Sequence, residues 1–168
     1  MIALELTDVK DFMNKLLRSE IFDHFLIQEA SITSAATYNI NGQITKGFYS
    51  PEELEELHLN ACRFLPFSIL RGNCFDLIKG KKTPSAFRFV FLLSPDNMEK
   101  TITAVGSSYK SADITGMYIN LKYQNQLLSL TTGIAYNIFS TDKTLETEWD
   151  KMVMRFLKQN EIAFEELS

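Results

Sequence analysis

Two runs of alternating residues in the second half of the chain leave little freedom about its fold. Met117, Ile119, Leu121 and Tyr123 alternate with other neighbours, Gln124-Asn125-Gln126 interrupts, and Leu128, Leu130, Ile134, Tyr136 and Ile138 resume the pattern. Successive side chains of a strand point to opposite faces, so this stretch predicts a long antiparallel hairpin with one apolar face. An earlier alternation sets Ala30, Ile32, Ala36, Tyr38 and Ile40 against Glu29, Ser31, Thr33, Thr37 and Asn39 and predicts a strand with one wet face. Such a sheet must bury its apolar side, and helices on that side are the economical cover.

The remaining punctuation supplies those helices. Thr7 caps a stripe of Val9, Phe12, Met13, Leu16 and Leu17, which predicts a helix over 8–18. Ser50-Pro51-Glu52-Glu53 combines a cap, a first-turn proline and a capping glutamate, opening a helix to about Cys62. Ser94-Pro95 repeats the device for a helix over 95–104. Leu145, Trp149, Met152, Val153, Phe156 and Leu157 make the stripe of a last helix closed by Asn160, and Ile162 to Phe164 reads as a final strand. Asn41-Gly42 predicts a hairpin, and a three-residue loop ending at Gly42 aligns Tyr38 with Ile44 on the apolar face. Cys74 to Lys79 and Ala86 to Leu93 read as two more strands, the second bearing Phe87, Phe89, Phe91 and Leu93 on one face; residues 63–73 fit no regular element.

These elements predict an α+β fold in one compact domain, 1–168, with about four helices on one face of antiparallel sheet. The order is β-α-β-β-α-β twice, dividing near Pro84 into pseudo-duplicated halves 1–84 and 85–168. Two ferredoxin-like or clamp-like halves and one continuous antiparallel sheet both satisfy that order.

Of the 168 residues, 45% are apolar and 12% aromatic, enough for a sizeable core. The formal net charge of -4 opposes a dedicated nucleic-acid binder, which needs a basic excess. MIALELTDVK lacks the charge and apolar run of a signal peptide, and no stretch has the length of a membrane span. Cys62 and Cys74 are too few for a disulfide framework and read as reduced thiols of a cytoplasmic protein.

The densest cluster of charge is "LIKGKKTPSAF", residues 77–87. A phosphate loop requires G-x-x-x-x-G-K-[ST], but Phe75 occupies the first glycine position and Lys82 the hydroxyl position. The stretch is expected to be a hairpin loop at which Lys79, Gly80, Lys81 and Lys82, with Arg88, form a candidate patch for an anion or a nucleic acid. His58 and Cys62 lie one helical turn apart with Cys74 beyond, three ligand types without a second pair, so no metal or cofactor is expected. His24 beside Asp23 lacks a nucleophile elbow, and Ser107-Ser108-Tyr109-Lys110 lacks the helix its spacing would need. No catalytic residue is assigned. Tyr118 and Lys122 share the polar face of their strand, an aromatic and a base together on a sheet.

"KDFMNKLL", "FDHFLIQEA", "LIKGKKTP", "TTG" at 131–133 and "LETEWDKMV" together resemble an uncharacterised family of bacterial proteins of about this length, chiefly from clostridia and relatives, that forms a domain of unknown function. The resemblance implies a bacterial cytoplasmic protein and carries no assigned catalytic residue. The expectation is a non-enzymatic domain that binds a protein partner or itself, without membrane contact; the alternative is an anion or nucleic-acid module using the Lys79 to Lys82 loop.

Overall fold

The computed structural model describes residues 1–167. Seven strands form one antiparallel sheet: β1 (Ala3–Leu6), β2 (Leu26–Thr33), β3 (Thr37–Asn41), β4 (Ala86–Leu92), β5 (Ile114–Gln124), β6 (Leu127–Tyr136) and β7 (Phe164–Glu166). Their spatial order is β3-β2-β4-β5-β6-β1-β7. Five helices interrupt them: α1 (Val9–Arg18), α2 (Pro51–Glu56), α3 (Phe67–Ile78), α4 (Pro95–Val105) and α5 (Thr144–Gln159). Each of the segments β1-α1-β2-β3 and β4-α4-β5-β6 follows the same order of elements.

Alternation decides which face of the sheet is dry. Leu4 and Leu6, Ala30 and Ile32, Phe87, Phe89 and Phe91, Met117, Ile119 and Leu121, and Leu128 and Leu130 are all buried in the main core. Phe12 and Leu16 of α1, Phe67 and Cys74 of α3, Ile102 of α4, and Leu145, Trp149, Val153 and Leu157 of α5 pack into the same core. The expected β5-β6 hairpin turns at Asn125 and Gln126, both left-handed with φ of 52° and 64°, which fits a tight hairpin loop. The Ser50–Glu53 capping box forms reciprocally, with Glu53 N donating to Ser50 Oγ at 3.1 Å and Ser50 N to Glu53 Oε1 at 3.0 Å.

Three expectations change. The early hairpin turns at residues 34–36, not at Asn41-Gly42: Ala30 pairs with Ile40 and Ile32 with Tyr38. Ser34 N donates to the Ala36 carbonyl at 2.9 Å, so a turn of small residues without glycine or proline closes inside an unbroken alternation. Gly42 serves a different purpose. A Cβ there would sit 1.8 Å from the Ile27 carbonyl oxygen, so this glycine lets the chain pass against β2 beside its bulge between Ile27 and Glu29.

The second change is α3, which replaces the expected strand at 74–79 and absorbs most of the undecided stretch. Phe67 and Cys74, one apolar face seven residues apart, are fully buried, while Arg71 on the flank chelates Asp23 through Nε at 2.9 Å and Nη2 at 3.1 Å. The apolar run Cys74-Phe75-Asp76-Leu77-Ile78 suits either period, and length arbitrates once the turn before it is counted. Residues 79–85 accordingly join a helix to β4 and are not a hairpin tip.

Third, α2 stops at Glu56 rather than near Cys62. His58 takes φ of 56°, His58 N donates to the Glu55 carbonyl and Leu59 N to the Leu54 carbonyl. This is the two-bond helix end that glycine usually closes, here closed by histidine.

Candidate functional site

The face of the sheet away from the helices carries the polar half of the alternations, except on β4, where Val90 and Leu92 follow Arg88 on that face and are buried. One rung crosses all seven strands on that face: Asn39 pairs with Ser31, Ser31 with Arg88, Arg88 with Lys122, Lys122 with Ser129, Ser129 with Glu5 and Glu5 with Glu165. Neighbouring strands lie about 4.8 Å apart, so Arg88 and Lys122 are direct cross-strand neighbours, and so are Glu5 and Glu165. Like charges in that position destabilise a sheet. The rung thus segregates charge, basic over β4 and β5 and acidic over β1 and β7, where mixed pairs would have been more favourable.

Glu29 relieves part of the basic end, its Oε1 lying 3.0 Å from Arg88 Nη1 with both side chains about half exposed. Lys122 makes no ion pair among the described residues. Beside Lys122, Tyr118 pairs with Leu92 and Gly133. Its ring lies across Gly116, where a Cβ would come within 2.8 Å of it. Gly116 therefore leaves the room that the Tyr118 ring occupies.

At its basic end the rung borders a groove of about 620 Å³ between β2, β3 and the chain at 63–64. Arg63 reaches it because Ile44 N donates to the Arg63 carbonyl and Leu65 N to the Gly42 carbonyl, both at 2.9 Å, which holds 63–65 against 42–44 through an isolated antiparallel bridge of Gln43 with Phe64. The Arg63 guanidinium lies 5.4 Å from the centre of the Phe64 ring, a cation–π contact. Arg88, Gln28, Glu29, Ser31, Asn39, Asn41 and Gln43 supply the rest of the polar lining. The lining formally carries two guanidiniums and one carboxylate, with Lys122 outside on the rung.

Sequence reasoning named Arg88 for this role, and noted Lys122 with Tyr118 on the polar face. Arg63 went unnoticed, since it lies in the undecided stretch and becomes a groove residue only by pairing with 42–44. Lys79, Gly80, Lys81 and Lys82 contribute nothing to the lining. Lys79 Nζ is 3.0 Å from Asp76 Oδ1 and lies over the Phe75 ring, Gly80 has φ of 142°, and Lys81 and Lys82 are exposed.

A second hollow, of about 320 Å³, gathers both histidines, His24 and His58, with Cys62, Ser94 and Asp96. Burial, with a contribution from Asp96, pushes the Cys62 thiol up, which keeps it protonated near neutral pH and weakens it as a nucleophile. Asp23 is held by Arg71, so its carboxylate is committed away from His24. Cys74 is fully buried in the main core and does not line this hollow. Among the described residues no group of three or more His, Cys, Asp or Glu is placed to hold a metal ion, and no helix is long and apolar enough to cross a membrane.

Comparison with known proteins matches residues 15–165 to the model of DUF5721, described as a family of unknown function. Neither the curated proteins nor the solved structures provide a match.

Proposed function

The chain belongs to this family of unknown function, and we propose that it is a non-enzymatic binding module whose ligand is an oxyanion, a phosphate or a carboxylate, held at the basic end of the open sheet face. The observation that carries this is the like-charged cross-strand pair of Arg88 and Lys122, which Glu29 relieves only on the Arg88 side, with Arg63 lining the adjoining groove. Local rules broken without a compensating structural gain are expected where a surface serves a ligand. Guanidinium groups offer paired donors that match the oxygens of phosphate and carboxylate. Asn39, Asn41 and Gln43 add amide donors and acceptors along the same wall. The bulk charge of -4 favours a small ligand over a polymer, because a long polyanion would also meet the acidic end of the rung.

Calorimetric titration with ADP and, separately, with citrate tests this and distinguishes the two oxyanion sources. Replacing Arg88 and Lys122 together by glutamine is expected to weaken the bound probe at least about tenfold, since hydrogen bonds to charged groups contribute roughly 1.5–3 kcal/mol each. Replacing Lys79, Lys81 and Lys82 by alanine is expected to leave binding unchanged. Loss of binding in the triple variant with retention in the double one would move the site to the loop after α3.

A further inference from the structure

The two edges of the sheet are treated differently. At one edge β7 is three residues long and carries Glu165 and Glu166, the short and charged design that keeps an edge from recruiting another strand. At the other edge β3 has no such protection. No charged residue and no proline occurs between Glu29 and Lys46, and Thr37, Tyr38, Asn39 and Asn41 are exposed. Tyr38 is 44% exposed although it lies on the helix side of the sheet, beside Ile32.

Hydrogen-bond alternation says which backbone groups are free. Gly42 N donates to the Gln28 carbonyl at 2.9 Å, continuing the register in which Ala30 faces Ile40 and Ile32 faces Tyr38. Bonded and non-bonded pairs alternate along an antiparallel ladder, so Tyr38, Ile40 and Gly42 turn their N–H and C=O groups toward β2. Thr33, opposite Thr37, agrees with this, its carbonyl being taken by Ser85 N at 2.9 Å on the β4 side. Thr37, Asn39 and Asn41 therefore present their backbone groups outward.

We infer that β3 pairs antiparallel with β3 of a second copy of this chain, about a two-fold axis at Asn39. In that register Asn39 faces Asn39 of the second copy and Thr37 faces Asn41 in both directions. All three facing pairs are of the hydrogen-bonded kind, and the outward groups of both strands are satisfied together. Tyr38 then lies opposite Ile40 across the junction, twice, on the helix side, where close non-bonded pairs favour an aromatic beside a β-branched residue. The open-face rung runs on through the two Asn39 residues, so the basic ends of both copies flank one uncharged centre. Five strand spacings separate the two Arg88 positions, about 24 Å. That exceeds a Debye length of about 10 Å at ordinary ionic strength, so the basic ends do not oppose pairing.

Light scattering across a dilution series is expected to show a mass rising from one chain to two with concentration. Asn39→Pro removes the central donor and Tyr38→Lys places a charge at the junction; each is expected to hold the mass at one chain, with circular dichroism unchanged. Should Asn39→Pro disturb β3 itself, Tyr38→Lys alone decides, because an exposed edge position tolerates lysine. Amide exchange at Thr37, Asn39 and Asn41 is expected to slow as concentration rises, while exchange at Glu166, which faces outward on β7, does not. The double glutamine replacement of Arg88 and Lys122 is expected to leave the dimer intact, so that loss of oxyanion binding and loss of pairing are separate results. A single-chain mass at every concentration, or a dimer indifferent to both β3 variants, overturns the inference.

Discussion

Between pH 9 and pH 11 this protein is expected to lose about 3 kcal/mol of stability through one buried thiol. Cys74, in α3, is fully buried in the main core, and burial pushes its pKa from the ordinary 9.0 to about 11. The unfolded chain releases this proton near pH 9 while the folded chain retains it, so in that interval the folded state binds more protons. Stability then falls as pH rises: the contribution is whole below pH 9, declines by roughly 1.4 kcal/mol per pH unit, and is gone above about pH 11. Urea unfolding of the native protein and of Cys74→Ala at pH 8, 9, 10 and 11, under a phosphine reductant, isolates the effect. At pH 8 the variant is expected to be less stable by about 1–2 kcal/mol because it leaves a small cavity. At pH 11 the order is expected to reverse. Tyr136, whose pKa burial raises to about 12, and Cys62 titrate equally in both proteins and cancel. A stability difference independent of pH would mean that water reaches Cys74, and the account of α3 packing against the sheet would be wrong.

Two backbone predictions follow from positions that break opposite rules. His58 closes the end of α2 in the left-handed region, at φ of 56°, so His58→Gly is expected to raise stability by about 1 kcal/mol in thermal or urea unfolding. Gly42 is right-angled to that case: its φ is ordinary, but a Cβ would lie 1.8 Å from the Ile27 carbonyl oxygen. Gly42→Ala is expected to destabilise by about 3 kcal/mol, and to shift exchange protection in β2 and β3 first. An alanine tolerated there without loss would contradict the close passage of 42–44 against the β2 bulge.

What could be read from the chain itself was whatever short-range physics decides. The β5-β6 hairpin announces itself because its alternation and its turn are contiguous, and α1, α4 and α5 follow from stripes and terminal signals within a few residues, although the residue that caps α1 is Asp8, whose carboxylate accepts from Asp11 N, and not the expected Thr7. Ser50 and Glu53 satisfy each other across three positions, so the start of α2 was legible too. Its end was not, since a histidine fills a place where glycine is the usual signal. Cys74 to Ile78 is apolar enough for strand or helix, and the helix emerges only when the residues from Phe67 onward are counted with it. The Asn41-Gly42 pair imitates a turn, whereas the glycine is there to clear a neighbouring carbonyl that no local pattern reveals.

Arg88 and Lys122 were legible singly, but the candidate site they form belongs to tertiary structure. Ser31, Arg88, Lys122, Ser129, Glu5 and Glu165 become one rung only because β4 inserts between β2 and β5, and β1 between β6 and β7. Those pairings join residues up to 160 positions apart, Glu5 with Glu165. Alternation in each strand determined that these side chains would be wet. Which charge would stand beside which depended on strand order, because cross-strand neighbours are set by long-range pairing and not by spacing along the chain.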